Sequence, residues 1–269
     1  MVLYAIEDGS YFADPTQVFP GSDPKAWDDT GREPDGKLRF SIGCFLLTNG
    51  DRVVMVDTGM GRWPDAPPAV HAQVGAMPQA LRTLGMSPGD VDLVIHTHLH
   101  PDHFGGDVTD EGVPFFPHAR IVAHQADFDH FRHAEGWLAD RVRGEFVPLV
   151  EAGPVELIDG PRTVTPGVSV EEAPGHTPGH LLVRIRSEDS AALIIGDITH
   201  HPLQVSRPDW NSAGDHNPGL AATTRRKVLD RAAGTDTVVT ANHHPKPGFG
   251  TVEVEGERHL FTSVAVEHL

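Results

Sequence analysis

Residues 91–106 read VDLVIHTHLHPDHFGG. The apolar run from Val91 to Ile95 enters a Pro- and Gly-rich turn that carries His98, His100, Asp102 and His103. A strand repeats every two residues, so His98 and His100 point to one side as the strand ends, and the turn brings Asp102 and His103 back toward them. Four metal-ligand side chains then converge at one spot. Imidazole nitrogens with a carboxylate oxygen suit zinc or another divalent first-row ion. His96 shares the parity of His98 and His100 but stands too early to join them, and is expected to be a buried strand residue.

Upstream, SIGCFLLT and RVVMVDT form two strand candidates joined by Asn49-Gly50-Asp51, a hairpin turn signal. Asp57-Thr58-Gly59 ends the second strand; Asp57 fits equally a turn cap and a carboxylate that orients a ligand histidine. A Pro/Gly-rich loop over residues 60–76, with Met60 and Trp63, precedes the helical segment MPQALRTLG. Downstream, ARIVAH reads as a strand. QADFDHFRHAEGWLADRVRG reads as one helix, with Phe128, Phe131, Trp137 and Leu138 on its apolar side. His124, His130 and His133 read as surface or packing residues.

The second half alternates again through VSVEEA, LLVRIR and AALIIGD. Two proline-glycine turns bracket His176, the better ligand candidate, whereas His180 opens the next strand and reads as structural. Asp197 stands at a strand end, where a metal would compensate a buried carboxylate. Asn217-Pro218 starts a helix that runs to about Ala233 and stops at Gly234. TVVTA then forms a short strand before Asn242-His243-His244-Pro245, and the remaining residues form a strand pair or a strand and tail.

No Ser/Gly-rich or charge-rich linker divides the 269 residues, which predicts one domain over 1–269. No apolar run approaches the roughly 20 residues that span a bilayer. The start of the chain lacks the features of a secretory signal, and Cys44, the single cysteine, excludes an intramolecular disulfide. These features point to the cytoplasm. A formal charge of -17 opposes nucleic-acid and anionic membrane partners.

The Asp57-Thr58-Gly59 turn, HTHLHPDH, GHTPGH, Gly196-Asp197 and the late His243-His244, in this order over residues 41–245, resemble the metallo-β-lactamase superfamily of metal-dependent hydrolases. The resemblance implies an α/β fold, a four-layered αβ/βα sandwich of two similar halves with metals between the sheet edges. It implies that His98, His100 and His176 hold one metal, that Asp102, His103 and His243 hold a second, and that Asp197 bridges them. His243 is preferred to His244 because the family places its ligand directly after the strand. The cofactors implied are two divalent ions, zinc foremost, with Mn2+, Co2+ or Fe2+ as alternatives.

By the same resemblance, a metal-bridging hydroxide would attack a lactone or carboxylic ester carbonyl, with Asp102 helping to orient it. A phosphotriester is the alternative substrate. β-Lactamases of the family usually carry cysteine or serine where Asp197 stands, which disfavours that activity. Acyl-homoserine lactonases often have tyrosine three residues after the bridging aspartate, and related organophosphate hydrolases have histidine. Here the position is His200, which could donate a hydrogen bond to a developing oxyanion or protonate the leaving group, or else pack under the site. Rival classes are a single-iron oxidoreductase such as a persulfide dioxygenase and a non-catalytic metal-binding protein. Trp63, Phe128, Trp137, Phe146, Trp210 and Phe249 are candidates for a substrate pocket and equally for core. The lactonase likeness implies a homodimer acting on a small molecule.

Overall fold

The strands that flank the histidine-rich turn lie in one of two β-sheets, in a computed structural model that describes residues 1–61, 73–188 and 190–265. The first sheet holds β1 (Val2–Ala13), β2 (Leu38–Thr48), β3 (Val53–Val56), β4 (Leu93–Ile95), β5 (Arg120–His124) and β6 (Val155–Ile158), side by side in chain order. The second has the order β13-β12-β11-β10-β9-β8-β7. Its strands are β7 (Arg162–Thr165), β8 (Val168–Glu172), β9 (Leu181–Ser187), β10 (Ser190–Ile194), β11 (Val238–Thr240), β12 (Gly250–Glu255) and β13 (Arg258–Ser263). The helices are α1 (Pro15–Val18), α2 (Met77–Thr83), α3 (Pro101–Phe104), α4 (Gln125–His133), α5 (Trp137–Arg141), α6 (Val147–Ala152), α7 (Pro202–Val205) and α8 (Pro218–Ala232).

Side-chain parity sorts the core into layers. Phe45, Leu47, Val54, Val56, Leu93 and Ile95 of the first sheet meet Val168, Val170, Leu181, Val183 and Ile194 of the second. Cys44, Leu46, Met55 and Val94 point the other way, against Leu81 of α2, Phe128 and Phe131 of α4 and Leu149 of α6. On the far side, Leu193 and Val239 pack against Val228 and Leu229 of α8. Helices, sheet, sheet and helix therefore stack as the αβ/βα sandwich. Strands covered on both faces need consecutive apolar residues, and Leu93, Val94 and Ile95 are all buried.

Parallel pairing aims the chemistry. β3 and β4 are parallel, so Asp57 and the 96–103 segment leave the first sheet along one edge. β10 and β11 are parallel too, and Asp197 and His243 leave the second sheet together. His176 sits in the turn between β8 and β9.

Two expectations are corrected. The single helix over 125–144 is broken: α4 stops at His133, and Gly136, at φ 100°, reverses the chain before α5 and a π-helical turn, Val142–Phe146. A residue with a side chain rarely adopts that φ, so the periodicity of the apolar positions continued through a break that only glycine allows. His96 is buried, but β4 ends at Ile95, so it follows the strand rather than belonging to it.

Candidate metal centre

Where β4 ends, Pro101 starts α3 with His100 in extended backbone just before it. That geometry sets His98 and His100 side by side, with His98 Nε2 3.0 Å from His100 Nδ1. His176 Nε2, from the second sheet, lies 3.1 Å from the same His100 nitrogen and 3.3 Å from Asp197 Oδ2. Ligand atoms around a tetrahedral zinc with bonds of about 2.0–2.1 Å are roughly 3.3 Å apart, so these spacings suit one cation.

A second group adjoins it. His243 Nε2 is 3.4 Å from Asp102 Oδ2 and 3.1 Å from Asp197 Oδ2. His103 Nε2 is 3.8 Å from Asp102 Oδ2 and 3.4 Å from Asp197 Oδ1. Among the described residues, two adjoining groups, His98–His100–His176–Asp197 and Asp102–His103–His243, are each compact enough to hold an ion, as is Asp197–His200–His243, and Asp197 also lies against His103 and His243 of the second group. His103 Nε2 and Asp197 Oδ1 are buried with no hydrogen-bond partner. Orphaned polar atoms are costly inside a protein, and divalent cations would satisfy them.

The far sides of the His103, His176 and His243 rings are held. Asp57 Oδ2 meets His103 Nδ1 at 2.8 Å, while the same carboxylate accepts from Thr97 N, Thr97 Oγ1 and Asn242 Nδ2. Of the two readings of Asp57, histidine support is the one seen: the backbone N–H its carboxylate accepts from belongs to Thr97, 40 residues on, rather than to its own turn. Its φ of 57° is uncommon for a residue other than glycine and marks a backbone held by its surroundings. Asp215 Oδ1 holds His176 Nδ1 at 2.9 Å, and the Ser41 carbonyl holds His243 Nδ1 at 2.7 Å. These contacts leave Nε2 of His103, His176 and His243 aimed inward.

The electrostatics agree with metal binding. Burial, reinforced by neighbouring imidazoles, pushes His98 and His100 well below the usual histidine range and keeps their lone pairs free. Burial alone would raise Asp197, but His243, His103, His200 and His98 hold it well below the usual carboxylate range. His180 is not in either group: burial brings it down to about 3, and its Nε2 accepts from the Asp197 backbone N–H at 3.0 Å. His244 pairs with Thr199 Oγ1 instead, which leaves His243 as the residue facing Asp197.

His200 lies within the cluster. Its Nε2 is 3.2 Å from Asp197 Oδ2, its ring stacks on His243 with centroids 5.2 Å apart, and Phe19 meets it edge-on. Tyr11 of β1, which the sequence did not single out, stacks on Phe40 and meets His243 edge-on at 5.6 Å. Burial, with Asp102 and Asp197 nearby, raises its phenol well above the ordinary value and keeps it a proton donor. Asp215 and Arg225, which join His176 to the Asp197 segment, belong to no histidine motif. A carboxylate two residues before a helix cap carries no signal of its own.

Most of the suggested pocket aromatics lie elsewhere. Phe128 and Phe146 are core residues beneath the first sheet. Trp137 is 48% exposed, and Trp210 packs on Trp27. Phe249 borders a cleft of about 850 Å³ with Leu3, Ala5, Leu84, Ile185 and Val238, which contains none of the clustered histidines. Trp63 lies outside the described residues. His124 is buried against Glu172, and His130 rests on His216.

The profile described as Metallo-beta-lactamase superfamily matches residues 39–241. An N-acyl homoserine lactonase of Bacillus sp is 28% identical over 178 residues, covering 60% of this chain and 65% of that protein. The N-acyl homoserine lactonase AiiB of Agrobacterium fabrum is 28% identical over 200 residues, 64% of this chain and 67% of its own. The match thus spans just under two thirds of the first of these relatives. Among solved structures, the dizinc quorum-quenching lactonase AidC superposes with a TM-score of 0.85 at 24% identity, covering 99% of this chain and 95% of its own. The hydrolase AbOPH does so with a TM-score of 0.88 at 22% identity and the same coverage. At these identities the structural likeness is one of fold.

Proposed function

The chain belongs to the metallo-beta-lactamase superfamily, and from that premise we propose that it is a dinuclear metal-dependent hydrolase of lactones or carboxylic esters. The observation that carries the reading is the pair of adjoining donor groups, one containing Asp197 and the other with His103 and His243 turned toward it. His98, His100 and His176 would hold one ion and Asp102, His103 and His243 the other, with Asp197 between them. Two divalent ions bound there would lower the pKa of a shared water toward about 7 and polarise a substrate carbonyl.

The chain's own residues do the rest. Asp102, whose side chain is 19% exposed against 3% for Asp197, is the more accessible carboxylate of the cluster and can orient a nucleophile. His200 adjoins the Asp197 carboxylate, where an imidazole N–H can donate to an oxyanion or to the departing oxygen. Phe19, Phe40 and Tyr11 form an aromatic wall beside His200 and His243 that keeps water from that side. Lactones are favoured over other esters because the curated relatives are N-acyl homoserine lactonases. Zinc suits an N/O donor set of this kind, with manganese, cobalt or iron as alternatives to test. The Asp102–His103–His243 group speaks against a single-iron oxidoreductase, which would need only the other group.

Asp197→Ala tests the reading directly. Metal analysis should show fewer than two ions per chain, with hydrolysis reduced at least about 100-fold, as when a group shared by a catalytic unit is removed. Two tightly bound metals and undiminished hydrolysis in that variant would overturn it. Profiling zinc-, manganese- and cobalt-loaded protein on lactones, aryl esters, phosphotriesters and β-lactams identifies the substrate class.

A further inference from the structure

Arg225 is a buried charge that the chemistry above does not use. It projects from α8 with 1% of its surface exposed. Its Nε donates to the Ile198 carbonyl at 2.6 Å, Nη1 to the Pro208 carbonyl at 2.7 Å and to Asn211 Oδ1 at 3.3 Å, and Nη2 to Asp215 Oδ2 at 3.3 Å. Ile198 directly follows Asp197. Asp215 in turn binds His176 Nδ1 through Oδ1 and the Ser212 N–H through Oδ2. One guanidinium therefore touches both the segment that carries Asp197 and the carboxylate that orients His176.

The backbone reinforces this link. His216 N donates to the His176 carbonyl and Asn217 N to the Gly175 carbonyl, each at 2.9 Å, so the 211–217 loop lies along the His176 turn. Gly175 is at φ 143°, and a Cβ there would run into Ala221 of α8. The turn, the loop and the helix are thus packed as one body around Arg225. A fully buried ion pair contributes little net stability by itself, yet removing one partner strands the other. Its use in such a place is to fix geometry.

We propose that the Asp215–Arg225 pair is a positioning device for one of the two metal positions, locking His176 to the Asp197 segment so that the ion at His98–His100–His176 is retained more firmly than its donor atoms alone would allow. This rests on the dinuclear reading. His103 and His243 are supported separately by Asp57 and the Ser41 carbonyl, so loss of the Asp215 contact to His176 bears on the His98–His100–His176 position and not on those two ligands.

The test follows zinc release into excess chelator from the zinc-loaded protein, for wild type, Asp215→Asn, Arg225→Met and the double variant. Asp215→Asn keeps the shape and an acceptor for His176 but leaves the Arg225 charge without its partner, whereas the double variant removes both charges and leaves no unpaired buried ion. Wild type should release two ions. In Asp215→Asn one ion should leave roughly 10–100-fold faster while the other keeps its wild-type rate, the size expected when the partner of a ligand histidine is lost. The double variant should release that ion no faster than the worse single variant, since the two residues act as one unit. Melting of the metal-free variants, measured alongside, reports general stability. Wild-type release rates in Asp215→Asn, or equal acceleration of both ions, would overturn the proposal while leaving two-metal binding intact. Failure of wild type to bind two ions would instead sink the dinuclear reading itself.

Discussion

His200 and His96 look alike in sequence, each close to a cluster histidine, and the structure separates them. His200 faces Asp197, whereas His96 turns its Nε2 to Asp107 at 2.7 Å. His200→Ala should therefore keep both metals and lose about 100-fold or more in kcat on a lactone, the usual size of a lost acid–base or oxyanion donor. His200→Tyr, which restores a donor, should recover part of it. Unchanged rates in both would make His200 a packing residue. His96→Leu should keep the metals as well, and loss of metal from folded protein would make His96 a ligand. Its effect is on stability. Burial works to strip its proton, but Asp107 and Asp57 hold it up to about 9 in the metal-free protein. An unfolded histidine titrates near 6.5, so the stabilisation is fully present below about pH 6.5 and is lost as pH rises through about 9. Denaturant unfolding of chelated protein should show His96→Leu costing more at pH 6 than at pH 9.5, by at most about 3 kcal/mol. An equal cost at both pH values would mean that the imidazole is neutral in the fold.

At the scale of elements, the centre depends on two loops in backbone contact. A Cβ on Gly106 would run into the Thr58 carbonyl oxygen, and one on Gly105 into the Met60 carbonyl. Thr58 N and Oγ1 also donate to the His103 carbonyl, and Thr58 Oγ1 to Asp107. The close approach brings Asp57 within reach of His103. Gly106→Ala must push the loops apart and should cost roughly 1–3 kcal/mol or more, together with metal affinity. Gly144→Ala, with open space around its Cβ, should be near neutral by thermal melting. Equal melting temperatures would show the loops free to adjust. This is also where legibility in the sequence divides. Strand-end histidines and aspartates could be read because a short apolar run followed by a turn locates them along the chain. The α8 cap was readable for the same reason, and Asn217 Oδ1 does accept from Leu220 N. Contacts between distant segments leave no local pattern. Asp8, at a bulge in β1, accepts from the backbone of Met60, Gly75 and Met77 and so ties the first strand to both the Asp57 loop and α2, yet its neighbours in sequence predict none of this. Tyr11 reaches the centre, and Arg225 reaches Asp215, in the same non-local way.

For the whole molecule, the decisive fact is that neither sheet holds a complete donor set. The first sheet supplies His98, His100, Asp102 and His103, and the second supplies His176, Asp197 and His243. Ions bound between them would join the halves and would bind only when both are folded and docked. Such a ligand stabilises the native state by about 4 kcal/mol at a free concentration 1,000 times its Kd. A protein of this size shifts in Tm by about 2–4 °C per kcal/mol, so stripping one ion should lower Tm by roughly 10 °C and stripping both by about twice that, and adding zinc back should restore it. Acid should do the same as a chelator, because protons compete for the ligand nitrogens. Burial opposes protonation of His176, but hydrogen bonds to Asp197 and Asp215 raise it to about 9 without metal, so zinc uptake displaces a proton there and weakens as pH falls. The zinc-dependent part of Tm should therefore shrink between pH 8 and pH 6, and Asp197→Ala should lack most of it at either pH. Calorimetry with measured metal content decides the matter. An unchanged Tm after proven removal of both ions would mean that the sheets are docked by their apolar faces alone and that the metals are held without joining them.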